Sequence, residues 1–168
     1  MKKIISIIGS DSDDEHLSDY ALKVAQEVGR LAAQHGFVLS CGGRGGIMEA
    51  ACKGAKEEHG LTIGILPFTK DEANDYIDIA IPTTIGNFRN FLVANSGDVI
   101  IAIGGRWGTL NEISISMIYK KSLILIKGTG GCVDEIINGC IMQNIESDYF
   151  VVDSAEEAIK KVIEILGK

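Results

Sequence analysis

Two glycine-rich segments of this chain share a pattern that suits phosphate binding. Residues 42–50 read GGRGGIMEA, and residues 104–112 read GGRWGTLNE. Each segment follows an apolar run and leads into a predicted helix, and its glycines let a ligand approach backbone N–H groups closely. The first turn of the helix adds unpaired N–H groups and the positive end of the helix dipole. We therefore predict that the two segments together hold the anionic group of one ligand.

These segments, with Gly9–Ser10 after the first apolar run, supply the candidate ligand-binding residues. They are Gly9, Ser10, Gly42, Gly43, Arg44, Gly45, Gly46, Gly104, Gly105, Arg106, Trp107, Gly108 and Thr109. Neither segment matches the dinucleotide fingerprint or the Walker A loop. Arg44 and Arg106 are equally suited to embrace the phosphate, to lie on its rim or to make subunit contacts. Trp107 could stack on a base or pterin, or pack against the second segment or a partner subunit.

Thr109 and Glu112 have two interpretations. The sequence TLNE at residues 109–112 is a capping box, in which the threonine side chain caps a helix and the glutamate reaches back to its start. Alternatively, the Thr109 hydroxyl contacts the phosphate and the Glu112 carboxylate stands beside a reacting centre. The pattern alone leaves both interpretations open.

Composition and charge limit the class of protein. A chain of 168 residues with 46% hydrophobic residues fits one folded domain over residues 1–168. It holds no apolar run of the ~18 residues that a membrane span needs. The formal net charge of −7 disfavours nucleic acid and anionic membranes as partners. The cysteines form no CxxC pair and no ligand-like spacing with the histidines, so we predict no metal site and free buried or half-buried thiols in a cytoplasmic protein.

Apolar runs and helically spaced apolar residues alternate along the chain. Strands are predicted at residues 3–9, 37–41, 61–67, 77–83, 98–104, 122–127 and 149–152. Helices are predicted at residues 17–32, 46–59, 86–96, 109–120, 132–143 and 155–166. This alternation is typical of a Rossmann-like α/β fold, here with a mostly parallel sheet of about six or seven strands and helices on both faces. Ligands of such sheets bind at the carboxyl ends of the strands, where all three candidate segments fall.

The segment FRNFLVANSGDVIIAIGGRWGTLNE at residues 88–112 resembles the core of the LONELY GUY family of cytokinin-activating phosphoribohydrolases, whose motif reads P-G-G-x-G-T-x-x-E. GGRGGIMEA and Gly9–Ser10 resemble two further segments of that family. The resemblance implies a Rossmann-like fold, a nucleoside 5′-monophosphate ligand, and a dimer or larger assembly. It also implies that Arg89 and Glu112 are catalytic and that the phosphate loop comprises Gly104, Gly105, Gly108 and Thr109.

The implied reaction releases a base and ribose 5-phosphate. Cleavage of the base–ribose bond builds positive charge on the sugar, and the Glu112 carboxylate could stabilise that charge or activate water. Arg89 could pair with the phosphate or with negative charge on the leaving base, or form an ion pair with a neighbouring helix. This chemistry requires no cofactor.

Three positions depart from the family pattern. Phe88 stands where the family has an acid, Asn90 where it has lysine, and Ile103 where it has proline. In this respect the sequence is similar to the wider superfamily that includes molybdenum-cofactor carrier proteins, which bind a phosphorylated pterin without hydrolysing it. The alternatives to a nucleotide N-glycosidase are therefore a carrier of the molybdenum cofactor or a related phosphorylated ligand, and a sensor of a nucleotide-derived signal.

Two further expectations follow. A pyridoxal-phosphate lysine decarboxylase, a label often attached to this superfamily, needs a Schiff-base lysine in its pocket. The central motifs contain no lysine, so we predict that the protein is not such an enzyme. The expected partners are a small phosphorylated ligand and further copies of the chain, as a homodimer or homotetramer.

Overall fold

The protein folds around one parallel sheet. The computed structural model describes residues 1–141 and 148–167, and these contain seven strands in the order β4-β3-β2-β1-β5-β6-β7, all parallel to their neighbours. The strands are β1 (Ile4–Gly9), β2 (Val38–Cys41), β3 (Thr62–Leu66), β4 (Ile79–Pro82), β5 (Val99–Ile103), β6 (Ser122–Ile126) and β7 (Tyr149–Val152). The predicted Rossmann-like α/β fold is confirmed.

Six α-helices cover the sheet within the same described residues. They are α1 (Asp19–Gln34), α2 (Ile47–Glu57), α3 (Asn90–Ser96), α4 (Trp107–Ile118), α5 (Gly131–Ile137) and α6 (Ala155–Leu166). Ser154 caps α6 by accepting a hydrogen bond from the Glu157 N–H. Gly36 ends α1 with a φ of 72°, the left-handed conformation expected of a glycine just beyond a helix. None of these helices is long and apolar enough to cross a bilayer.

The core has two parts because the side chains of each buried strand alternate between the faces of the sheet. In β5, Ile101 and Ile103 pack with α1, α2 and α6, whereas Ile100 and Ala102 pack with residues of α3, α4 and α5. Both faces of the central strands are therefore buried, which explains why these strands read as continuous apolar runs.

Two predicted helices differ from the observed ones by four residues or more at one end. Residues 86–96 form a 3-10 turn over Gly86–Arg89 before α3 begins at Asn90. The helix predicted over 132–143 ends at Ile137, because a Schellman motif closes it: the Cys140 N–H donates to the Glu135 carbonyl, and Gly139 adopts a φ of 71°. Residues 142–143 lie outside the described residues.

The cysteines are free thiols, as predicted. Cys41, Cys52 and Cys132 are buried. Cys140 is exposed rather than half-buried, because it lies in the turn that follows α5.

The strand order reverses at the centre of the sheet. The chain proceeds from β1 outwards to β4, then returns so that β5 lies on the other side of β1. Loops that leave neighbouring strands on opposite sides of this point diverge and leave a crevice at the carboxyl edge of the sheet. The loops after β1, β2 and β5 border it, so the topology brings the three candidate segments together.

Candidate functional site

A cavity of about 820 Å³ lies at this crevice. Its lining includes two thirds of the predicted site residues, namely Gly9, Ser10, Gly42, Arg44, Arg89, Arg106, Trp107, Gly108, Thr109 and Glu112. Five predicted residues lie outside the lining: Gly43, Gly45, Gly46, Gly104 and Gly105. The glycine-rich segments therefore contribute to the cavity unequally. The hydrogen bonds and close contacts of these five glycines show why.

Gly104 and Gly105 turn the chain sharply after β5. Their φ values are 61° and 101°, which favour glycine. The Gly104 N–H donates to Thr129 Oγ1 at 2.9 Å, and the Gly105 N–H donates to Ser10 Oγ at 2.8 Å. These two N–H groups thus bind the protein's own side chains rather than a ligand. The turn that Gly104 and Gly105 form directs the first turn of α4 towards the cavity.

The glycines of the first segment admit close contact with neighbouring backbone and side chains. A Cβ on Gly46, whose φ is 64°, would stand 2.4 Å from the Ser10 carbonyl oxygen. A Cβ on Gly45 would stand 2.7 Å from Ser12 Oγ, and one on Gly43 would stand 2.7 Å from Leu66 Cδ2. These glycines hold the loop after β2 against the loop after β1 and against β3.

The first turn of α4 offers free donors to the cavity. The backbone N–H groups of Arg106, Trp107, Gly108 and Thr109 find no acceptor among the described residues. An α-helix leaves these N–H groups unpaired and concentrates the positive end of its dipole there, so this turn is suited to an anion.

The capping-box interpretation of Thr109 and Glu112 is wrong. The helix begins at Trp107 with Arg106 as its N-cap, and no side chain caps it. Thr109 is therefore already inside the first turn, because the Gly104–Gly105 turn starts the helix earlier than the apolar periodicity indicates. Glu112 is left to face the interior of the site.

Glu112 and Arg89 lie against each other, buried on the floor of the cavity. Arg89 Nη1 lies 3.3 Å from Glu112 Oε1, and the side chains are 8% and 7% exposed. Gly42 makes room for the guanidinium, since a Cβ there would stand 2.6 Å from Nη2. The same Nη1 donates to Asn90 Oδ1 at 3.0 Å, and Asn90 Nδ2 donates to Asn111 Oδ1 at 3.1 Å. The structure thus joins the two residues that the sequence resemblance implies are catalytic.

Burial raises the pKa of the Glu112 carboxyl to about 8, and the nearby Arg89 guanidinium only partly opposes this rise. The carboxyl group is therefore mostly protonated at neutral pH. A carboxylic acid in a cavity with such a perturbed pKa is a frequent feature of functional sites.

The mouth of the cavity is charged on one side and apolar on the other. Arg44 Nε pairs with Asp11 Oδ2 at 3.2 Å, while Arg106 pairs with Asp13 and lies 3.9 Å from Asp14. Both arginines therefore lie on the rim, each against an acid of the loop after β1. The apolar side is formed by exposed side chains, namely Phe68, Ile85, Phe88, Phe91 and Trp107.

Trp107 is 84% exposed, so it does not pack against the second glycine-rich segment.

Asn90 and Asn111 belong to the site but were not predicted, because single asparagines in helical segments carry no spacing signal. The only clue in the sequence is that Asn90 follows Arg89 and Asn111 precedes Glu112. Among the described residues, no group of three or more His, Cys, Asp and Glu side chains could hold a metal ion.

A methyl group on Gly108 tests the predicted phosphate site: if the first turn of α4 holds a phosphate, Gly108→Ala is expected to weaken binding of ribose 5-phosphate by about 10-fold or more, because the methyl group would crowd the charge-assisted hydrogen bonds of this turn. Gly108 lines the cavity, and a Cβ there would meet nothing within 4 Å. The fold should be unaffected or up to ~1 kcal/mol more stable, since alanine is the better helix former. Calorimetric titration and urea unfolding of Gly108→Ala measure the two effects. Unchanged affinity would place the phosphate elsewhere.

The fold and the site together define a class of protein: a Rossmann-like domain with a ligand-sized cavity where the strand order reverses. The chain belongs to the SLOG cluster4 family, whose profile matches residues 2–159. This match confirms the superfamily that the motifs around residues 88–112 predict.

Two similar solved structures are named for the molybdenum cofactor. The molybdenum cofactor binding protein of Rippkaea orientalis is 36% identical with a TM-score of 0.86, covering 99% of this chain and 98% of that one. The molybdenum cofactor carrier protein of Chlamydomonas reinhardtii is 35% identical with a TM-score of 0.83, covering 99% and 100%. An uncharacterised protein of Archaeoglobus fulgidus is 38% identical in an alignment of 150 residues, which covers 84% of this chain and 97% of that relative.

Proposed function

We propose that this protein binds a small phosphorylated ligand that contains a heterocyclic ring, and that it serves as a carrier of the molybdenum cofactor. The observation that carries this proposal is the free first turn of α4 in the same cavity as the buried polar floor of Arg89 and Glu112. One end of the cavity suits a phosphate and the other suits a polar ring. The two similar structures named for the molybdenum cofactor support the choice of ligand.

The phosphate of the ligand would lie at the N–H groups of residues 106–109. Arg44 and Arg106 stand at the mouth and could turn from their acidic partners towards a bound dianion, since such exposed ion pairs are weak. Trp107 and Phe88 are each 84% exposed and could stack on a flat ring. The cavity volume of about 820 Å³ lies within the range of small-molecule sites.

Anaerobic incubation with molybdenum cofactor released from a molybdoenzyme tests the carrier function. We expect the protein to retain pterin fluorescence and molybdenum together through gel filtration, at close to one equivalent per chain. Gly108→Ala should retain much less of both, because its phosphate site is obstructed. Retention of neither pterin nor molybdenum by the wild-type protein would contradict the proposal.

Hydrolysis of a nucleoside 5′-monophosphate is the second candidate function, and the buried Arg89–Glu112 pair favours it. Because Glu112 holds a proton at neutral pH, it would act as a general acid towards the leaving base. Stabilising positive charge on the sugar or activating water, the roles considered in the sequence analysis, would need the ionised form of Glu112. An assay for free base and ribose 5-phosphate, with Glu112→Gln beside the wild type, tests this. Release that persists in the variant would exclude Glu112 from the chemistry.

We also propose a homodimer or homotetramer. Phe91 and Tyr119 form an edge-on ring pair at 5.2 Å on the outer side of α3 and α4, and with Leu92 and Ile118 they leave a large apolar surface exposed. Such patches commonly mark contacts between proteins. Light scattering is expected to give two or four times the 18.0 kDa chain mass, and the single mass would contradict this.

A further inference from the structure

The floor of the cavity contains a buried hydrogen-bond donor that the described residues leave unused. Arg89 Nε is fully buried and has no partner among the described residues. Arg89 Nη1 of the same guanidinium donates to Glu112 Oε1 at 3.3 Å. A buried donor without an acceptor is costly, so it indicates a partner that arrives with the ligand or its water.

The two side chains offer a specific pattern. The Glu112 carboxylate presents acceptor oxygens, and the adjacent Arg89 guanidinium presents donors only. A ring complementary to this pair needs two neighbouring N–H donors for the carboxylate and a carbonyl oxygen for the guanidinium. That combination is the edge of a 2-amino-4-oxopyrimidine, which guanine and pterins share. Adenine presents a single donor group, its amino group, beside a ring-nitrogen acceptor, so it offers the carboxylate one donor where guanine offers two.

We infer that Arg89 and Glu112 recognise the 2-amino-4-oxopyrimidine edge of the ligand, so that the cavity takes guanine nucleotides as well as pterins and discriminates against adenine. This inference rests on the proposed binding of a phosphorylated heterocycle. It gives Glu112 a role in ligand selection, whether or not a bond is hydrolysed. The two N–H donors favour the carboxylate form, so the proton that Glu112 holds in the free protein passes to solvent on binding.

The spacing along α4 fits such a ligand. Glu112 follows the free N–H groups of Trp107–Thr109 by three to five residues, which is about 5–8 Å along the helix axis. A sugar or a pyran ring between the phosphate and the heterocycle spans a distance of this order. One ligand can therefore reach the first turn and the Arg89–Glu112 pair together.

Two carboxamides hold the guanidinium in place for this contact. Asn90 accepts from Arg89 Nη1 and in turn donates to Asn111, and both asparagines line the cavity. They are positioning residues, because they orient the Arg89 guanidinium and leave its Nε free for the ligand.

Calorimetric titrations with GMP, IMP, AMP and ribose 5-phosphate test the inference. GMP and IMP differ only in the 2-amino group, so their ratio isolates the second N–H donor. We expect the wild-type protein to bind GMP about 10-fold more tightly than IMP, and AMP more weakly than either. Equal affinity for all three nucleotides, or a preference for AMP, would overturn the inference while leaving phosphate binding intact. Failure of ribose 5-phosphate and every nucleotide to bind would also overturn the inference, and the retention of molybdenum cofactor would then decide the proposed function separately.

Glu112→Gln replaces one acceptor oxygen with an amide donor of the same size. The GMP-to-IMP ratio should fall to about 1 in this variant, while affinity for ribose 5-phosphate stays within about 2-fold. Glu156→Gln, a change at an exposed residue of α6 that does not line the cavity, is the matched control and should keep the wild-type ratio. A preserved ratio in Glu112→Gln would overturn the role of Glu112. If Glu112→Gln does not fold, the relative affinities of the wild-type protein for GMP, IMP and AMP decide whether the inference holds.

Discussion

Raising the pH from 5 to 9 is expected to lower the free energy of unfolding by about 4 kcal/mol through Glu112 alone. Burial raises the pKa of this carboxyl from 4.5 to about 8, against the partial opposition of Arg89. The folded protein therefore binds the Glu112 proton more tightly than the unfolded chain does. The resulting stability is fully present below pH 4.5, declines by about 1.4 kcal/mol per pH unit above it, and is lost once the pH passes 8.

Urea unfolding at pH 5, 7 and 9 measures this dependence. The acids whose pKa is lowered, such as Asp78 beside Lys56, lose their stabilising effect only at more acidic pH, outside this range. Glu112→Gln should flatten the curve between pH 5 and pH 9, because glutamine does not titrate. Glu156→Gln should follow the wild type. Parallel curves for Glu112→Gln and the wild type would show that Glu112 is ionised in the folded protein at neutral pH.

Gly54→Ala is expected to destabilise the fold by about 3 kcal/mol or more. Helices α1 and α2 cross so closely that a Cβ on Gly54 would stand 1.8 Å from the Gln26 carbonyl oxygen. The reciprocal contact is as close, with a Cβ on Gly29 at 1.9 Å from the Ala51 carbonyl oxygen. Neither oxygen belongs to a side chain that could rotate away, so the two helices would have to separate.

The matched control for this change is Gly108→Ala, which also lies in a helix but meets no neighbouring atom. Urea unfolding of both variants separates the packing effect from helix propensity, because alanine is favoured over glycine in both helices. A Gly54→Ala protein as stable as the wild type would show that the crossing adjusts freely. Helix α1 follows the acidic loop of Asp11–Asp14, and α2 follows the first glycine-rich segment. Because separating the two helices would displace both loops, we expect the Gly54→Ala protein to bind its ligand more weakly as well.

The alternation of strands and helices was predictable because it depends on local pattern. The run VIIAI in β5 has to be buried on both faces, and the spacing in α1 has to produce one apolar face. Errors occur at helix ends, where glycine conformation decides. Gly139 ends α5 early, and Gly104–Gly105 start α4 early. The strand order, which places β5 beside β1, is set by non-local packing that no short segment records.

The candidate site was predictable as a set of segments but not as a set of contacts. Sequence pattern alone indicates phosphate binding at both glycine-rich segments, whereas in the folded chain the N–H groups of Gly104 and Gly105 bind Thr129 and Ser10. Within the described part of the chain, the donors left without an acceptor here are those of residues 106–109. A hydrogen bond depends on which groups meet across the fold, and Ser10 lies 95 positions from Gly105.

Glu112 shows where the two kinds of information separate. The sequence establishes the residue type, its position in GGRWGTLNE and its resemblance to a catalytic glutamate, and these limit it to a few roles. The choice among them comes from folding, which starts α4 at Trp107, buries the carboxyl beside Arg89 and raises its pKa. The reason is physical: the cost of ionising a carboxyl depends on how much water its surroundings exclude, and those surroundings come from distant parts of the chain.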